Sequence, residues 1–197
     1  GTVRGCTVDN NGSGGMMIRE SATHEVVTSS FSDNANGSGV DVYRFTRAAF
    51  DSCNIDGNAI HGMSINNSTP IIADCTITNN SQSGAHCRKT AHPRFSRCTI
   101  SGNRVGVHSD TGSAPNMGDD MYPETGYNSV TGNQMAAIAN YNGTENPVFA
   151  RRNWWGAAPP TGRVFLGYVL WQPYLMEPNG EPLTSADHDD IPQSFEL

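Results

Sequence analysis

The chain has 197 residues, enough for one domain, and a formal net charge of −7 from 12 basic and 19 acidic residues. Lys89 is its single lysine, so it lacks the positive field that phosphate binding needs, which excludes a nucleic-acid partner. No run of about 18 apolar residues is present to span a membrane, no basic-then-apolar leader opens the sequence, and the acidic, Gly-, Asn-, Ser- and Thr-rich composition suits an extracellular or cell-surface protein.

In chain order, Val3 stands three residues before "CTVDNN" at Cys6, whose third residue, Val8, is apolar between small polar neighbours. A glycine-led alternation, "GMMI" from Gly15, follows about nine residues on. The phrase returns as Val26, "SSFSDN" from Ser29 and "GVDV" from Gly39, then as Phe50, "CNIDGN" from Cys53 and "GMSI" from Gly62. Ile72, "CTITNN" from Cys75 and "GAHC" from Gly84 make a fourth round, and Phe95, "CTISGN" from Cys98 and "GVHS" from Gly106 a fifth. "NSVTGN" from Asn128, with Ile138 beyond it, closes the series.

The six motif starts are 23, 24, 22, 23 and 30 residues apart, a period that marks a repeat architecture. Each round holds three period-two segments, the signature of three short strands. A unit of roughly 23 residues is too short for paired helices and lacks a leucine ladder. Three strands per turn with like residues at like positions predict a coil stacked on itself as a parallel β-solenoid. Asn11, Asn34, Asn58, Asn80, Asn103 and Asn133 then lie in one file, where amides hydrogen-bond along the stack and tolerate the left-handed corner. Cys6, Cys53, Cys75 and Cys98 share one inward position and Cys87 another, which predicts free buried thiols rather than disulfides, because in-register side chains point the same way.

"RRNWWG" at Arg151 to Gly156 and "VLWQPYL" at Val169 to Leu175 resemble the closing segment of bacterial surface β-helix domains. With the repeats, the chain over about residues 2 to 175 resembles the right-handed parallel β-helix proteins of the pectate-lyase-like superfamily. The resemblance implies an all-β, right-handed, single-stranded parallel β-helix of about 7 coils, and it alone supplies the handedness. Residues 1–156 are expected to form the coils, 157–176 a C-terminal cap with Trp154 or Trp155 in its core, and 177–197 an acidic tail or linker. An uncovered first coil is an exposed sheet edge, so an N-terminal neighbouring domain or an oligomer contact is expected to cover it.

Chemistry gathers on the outward columns of the glycine-led strand. One runs Met17, Asp41, Ser64, His86, His108, and the next Arg19, Tyr43, Asn66, Arg88, Asp110, Tyr141. Tyr43, Asn66, His86, Arg88, His108 and Asp110 are the candidate ligand-binding residues, with the long segment Asp110 to Tyr127 beside them. His86, Arg88 and His108 are the candidate catalytic set, a base and a cation for proton abstraction beside a uronate; against this stand an Arg88–Asp110 surface ion pair and a solvated histidine stack. His61 is expected to be structural. Asp41 and Asp110, three coils or about 14 Å apart, are too distant for a glycosidase pair. Asp110, Asp119 and Asp120 are the candidate ligands for calcium, which takes six to eight oxygens.

The leading reading is the C-terminal β-helix domain of a secreted or cell-surface protein, a scaffold for a polysaccharide or cell-surface glycan. The alternatives are a polysaccharide lyase or epimerase using the same face, and a structural stalk without ligand.

Overall fold

The computed structural model describes residues 1–161, 164–178 and 180. The chain winds through short strands joined by corners. The first coil is β1 (Thr2–Arg4), β2 (Thr7–Asp9) and β3 (Met16–Arg19); the second is β4 (Glu25–Val27), β5 (Ser30–Ser32) and β6 (Val40–Tyr43). The third holds β7 (Ala49–Asp51), β8 (Asn54–Asp56) and β9 (Met63–Asn66), and the fourth β10 (Ile71–Ala73), β11 (Thr76–Thr78) and β12 (Ser83–Arg88). The fifth holds β13 (Arg94–Ser96), β14 (Thr99–Ser101) and β15 (Val105–Ser109). Beyond it come β16 (Ser129–Thr131), β17 (Ala136–Asn140), β18 (Val148–Phe149), β19 (Phe165–Leu166) and β20 (Val169–Leu170).

Like strands pair across coils, giving parallel sheets in the orders β1-β4-β7-β10-β13, β2-β5-β8-β11-β14-β16 and β3-β6-β9-β12-β15-β17-β19, with β18 beside β20. The architecture is the all-β parallel β-helix of about 7 coils expected from the repeat, and no helix occurs among the described residues.

In-register pairing turns the period into buried files. Phe31, Ile55, Ile77, Ile100 and Val130 face one another in succession and are fully buried, as are Val26, Phe50, Ile72 and Phe95 on the first sheet. Each such side chain contributes about 1.5–3 kcal/mol relative to exposure, so the core is a column that lengthens with coil number.

The corner between second and third sheets is the asparagine file. Asn58 Nδ2 donates to Asn80 Oδ1 at 2.9 Å, and the Asn58 backbone N–H donates to the same oxygen at 3.0 Å. This pattern repeats from Asn11 to Asn133. Glycine follows because the next backbone passes close by: a Cβ on Gly84 would stand 2.7 Å from Gly106 O. Cys6, Cys53, Cys75 and Cys98 lie at a second corner and Cys87 within β12; all are unpaired and four are buried as expected, but Cys6 is exposed, contrary to the expectation of burial.

"RRNWWG" is one more rung, a seventh copy of the motif that the repeat count missed. Asn128 Nδ2 and N–H donate to Asn153 Oδ1 at 2.8 and 2.9 Å, and Trp154 bridges Ser129. Trp155 is buried and meets Phe165 edge-on with ring centroids 4.7 Å apart, whereas Trp154 is half-exposed. Most of the acidic tail expected at 177–197 lies outside the described residues.

Candidate functional site

The third sheet presents the predicted outward columns. Asp41, Ser64, His86 and His108 occupy successive rungs, and beside them Tyr43, Asn66 and Arg88 do the same. His86 and His108 stack with centroids 4.5 Å apart, and Tyr141 lies 5.0 Å from His108 on the far side. Near the other end, Tyr43 Oη donates to Asp41 Oδ1 at 3.3 Å.

His61, in the turn before β9, enters this group. The Ser83 backbone N–H donates to His61 Nδ1 at 3.3 Å, so in the neutral ring the proton sits on Nε2. His61 Nε2 is 3.1 Å from His86 Nδ1, which must therefore accept. His86 Nε2–H then donates to Asp110 Oδ2 at 3.0 Å. One backbone donor thus fixes the tautomers of two histidines and aims a single N–H at a carboxylate. Both ring nitrogens of His86 are engaged, which leaves it no lone pair for the proton abstraction considered from sequence.

Burial, reinforced by the charges of His86, His108 and Arg88, lowers the His61 pKa to about 3. His108 is shifted the same way, chiefly by burial, then by His86. Burial is the largest influence on Asp110 and raises it, but hydrogen bonds from Thr111 and His86 and the nearby histidine charges together hold its carboxyl below the usual range. Burial outweighs the hydrogen bonds and the Arg88 charge at Asp41 and raises that carboxyl.

The expected Arg88–Asp110 pair is corrected: the partners of Asp110 are His86, and His108 at 3.7 Å. Asp110 lies past the end of β15 and turns back over the histidine column, while Arg88 Nε is buried without a hydrogen-bond partner among the described residues. The expectation that His61 is structural is likewise only half met, since it orients His86.

The candidate calcium ligands do not come together. Asp120 is paired with Arg151 and, at 2.8 Å, with Arg152. Asp119 Oδ1 accepts the Met121 N–H at 3.1 Å, and its backbone N–H donates to Thr125 Oγ1. Both belong to the long segment, which is placed differently from expectation. Asn116 bridges Arg94 and then Phe149 as a rung of the first sheet, with Met117 buried beside it. The chain makes an excursion over residues 118–125 and rejoins at Gly126, opposite Ser96. The insertion therefore stands over the first sheet and not beside the histidine column.

It walls a cleft of about 480 Å³. Ile71, Arg94, Asn116 and Phe149 form the floor on successive rungs. Arg47, Thr69 and His92 line one side, Asp119 and Tyr122 the other. Ile71 is 45% and Tyr122 38% exposed. The Arg94 guanidinium lies 4.8 Å from the Tyr122 ring centroid and pairs with Glu124 at 3.5 Å. Sequence reasoning passed over this face because it read only the inward column of the first sheet, Val3 to Phe95, and the outward column continues into the long segment at Asn116.

No curated protein and no solved structure matches the chain. A family model described as a right-handed β-helix region matches residues 1–122. That match covers the first five coils and more than half of the sequence, and it agrees with the parallel three-sheet winding: the chain belongs to the right-handed β-helix family.

Proposed function

We propose that this β-helix is the glycan-binding module of a secreted or cell-surface protein, and that acidic sugar residues lie in the cleft beneath the 118–125 excursion. The carrying observation is the make-up of that cleft. Tyr122, Ile71 and Phe149 offer apolar and aromatic surface for a sugar ring, and Arg47 and Arg94 set two guanidiniums beside it, with His92 as a further polar group. An arginine fork matches a carboxylate bidentately, which favours uronate-containing chains over neutral ones. The rungs beneath, spaced about 4.8 Å apart, supply a rigid floor that loses little entropy on binding.

The predicted residues Tyr43, Asn66 and Arg88 belong to the third sheet, where Tyr43 and Asn66 line a second groove with Arg19, Arg44 and Lys89. That groove is the alternative seat for the same ligand class. Titration calorimetry with oligogalacturonate, oligoguluronate and a neutral glucan decides between them. The expected result is acidic-oligomer binding weakened at least about tenfold by Tyr122→Ala and by Arg94→Ala, and unaffected by Tyr43→Ala. The reverse sensitivity moves the site to the groove, and absence of binding to any oligomer overturns the reading.

A further inference from the structure

We propose that His86, His108 and Asp110 form a three-ligand site for a divalent transition ion of the zinc type, with its fourth position open to the outward face of the third sheet. Among the described residues these three place one ligand atom each within 4.8 Å of the others. Asp110 Oδ2 lies 3.0 Å from His86 Nε2 and 3.7 Å from His108 Nε2. Tetrahedral zinc with bonds of about 2.0–2.1 Å sets its donors about 3.3 Å apart, and the two spacings bracket that figure. All three ligand atoms lie within 4.8 Å of one another, so an ion shared among them draws the two imidazoles in toward Asp110 Oδ2.

The surroundings hold each ligand in place. Thr111 Oγ1 donates to Asp110 Oδ1 at 2.6 Å, which leaves Oδ2 to face the imidazoles. Tyr141 and His86 flank the two faces of His108, and His61 contacts the rear nitrogen of His86, the place where metal-binding histidines find their orienting partner. Two imidazoles and one carboxylate select zinc, cobalt, nickel, copper or iron over calcium, which takes oxygen ligands in larger number. A site with three protein ligands and one open position is the form zinc adopts where it also holds water or a ligand oxygen.

Loading carries a signature specific to this arrangement. His86 Nε2 must give up its proton to coordinate, so His86 becomes protonated at Nδ1 and donates to His61 Nε2. His61 then carries its proton on Nδ1, facing the Ser83 N–H that previously donated to it at 3.3 Å. One proton leaves His86, one arrives at His61, and one crosses between the rings, so both imidazoles stay neutral and no net proton is released. The cost is the Ser83–His61 hydrogen bond and two N–H donors left facing each other, which the ion's binding must outweigh.

The test uses the full chain carrying Cys6→Ser, which removes the exposed thiol, stripped with a chelator and titrated with Zn²⁺ and with Co²⁺. The expected result is one equivalent bound, cobalt bands of low coordination number without thiolate charge transfer, and a switch of His61 from the Nε2–H to the Nδ1–H tautomer in ¹⁵N spectra. His108→Ala and Asp110→Asn should each weaken binding at least about tenfold with the far-ultraviolet spectrum and melting temperature retained. Absence of stoichiometric binding, or binding that survives both substitutions, overturns the proposal. The outcome is independent of glycan binding, which is read at a different sheet.

Discussion

Asn80 and Asn103 are joined twice: the side-chain amide and the backbone N–H of Asn80 both donate to Asn103 Oδ1, at 3.0 and 2.9 Å. Asn80 Oδ1 in turn receives the same two donors from Asn58. Asn80→Ala therefore strands the Asn58 backbone N–H inside the protein, at about 1–3 kcal/mol, while Asn58 Nδ2 keeps Phe31 O and Asp56 O and Asn103 Oδ1 keeps the backbone N–H of residue 80. Urea unfolding should show a loss of roughly 1–3 kcal/mol, against a change within about 0.5 kcal/mol for Asn54→Ala on the exposed face.

Acid sensitivity should centre on His61. Its ordinary value is about 6.5, and burial lowers it to about 3 in the folded chain. Below pH 6.5 the unfolded chain takes a proton that the folded chain refuses, so stability is full above that value and falls as the pH drops toward 3. Between pH 6.5 and 4.5 the loss from this group is about 2 kcal/mol. Asp41, raised by burial, opposes the trend but is common to wild type and His61→Gln. Unfolding curves across this range should be markedly flatter for the variant, and parallel curves would remove His61 as the cause.

The 118–125 excursion is held to the body of the coil by Asp120, which meets Arg151 and Arg152, and by Arg94 against Tyr122 and Glu124. Asp120 is well exposed, so the pairs add at most about 1 kcal/mol to global stability. Their effect should be local. Asp120→Ala should speed proteolytic cleavage near Met121 and Tyr122 several-fold while the melting temperature changes by no more than a few degrees.

Thiol reactivity should report the corner file. Cys53, Cys75, Cys87 and Cys98 are buried, and Cys53, Cys75 and Cys87 are pushed far above the ordinary thiol range. The causes are the sulfur hydrogen bond to Cys75 and then burial for Cys53; for Cys75 the hydrogen bond with Cys53 lowers it but is outweighed by the hydrogen bond with Cys98 and burial; for Cys87 burial is the main cause. An aromatic disulfide reagent should titrate one thiol, Cys6, in the native protein and five after denaturation.

The coil was legible because parallel in-register pairing copies the linear period into space: Ile55, Ile77 and Ile100 could be assigned to one file from spacing alone, and they occupy it. What the period hid were departures from it. The rung at Asn153 has tryptophans where other copies carry a small polar residue and a Val, Ile or Phe, so it read as the close of the last coil and was not counted as a copy of the motif. Met117 falls 22 residues after Phe95, a usable signal that the long segment re-enters the first sheet before leaving it, but the loop's length masked it. Asp110 and Arg88 were assigned to one column by counting. Counting fails where a strand ends, because the chain past Ser109 is free to turn, and the carboxylate turned toward the histidines.

Every amide in the asparagine file points the same way, each oxygen receiving from the residue one coil earlier. The molecule therefore carries a built-in arrow. Whole coils can be spliced out or duplicated at matched corners with the arrow unbroken, so its length is adjustable in steps of about 4.8 Å. A partial coil would interrupt the arrow, making the spacing between the cleft and any feature farther along the axis a quantity that changes only in whole steps.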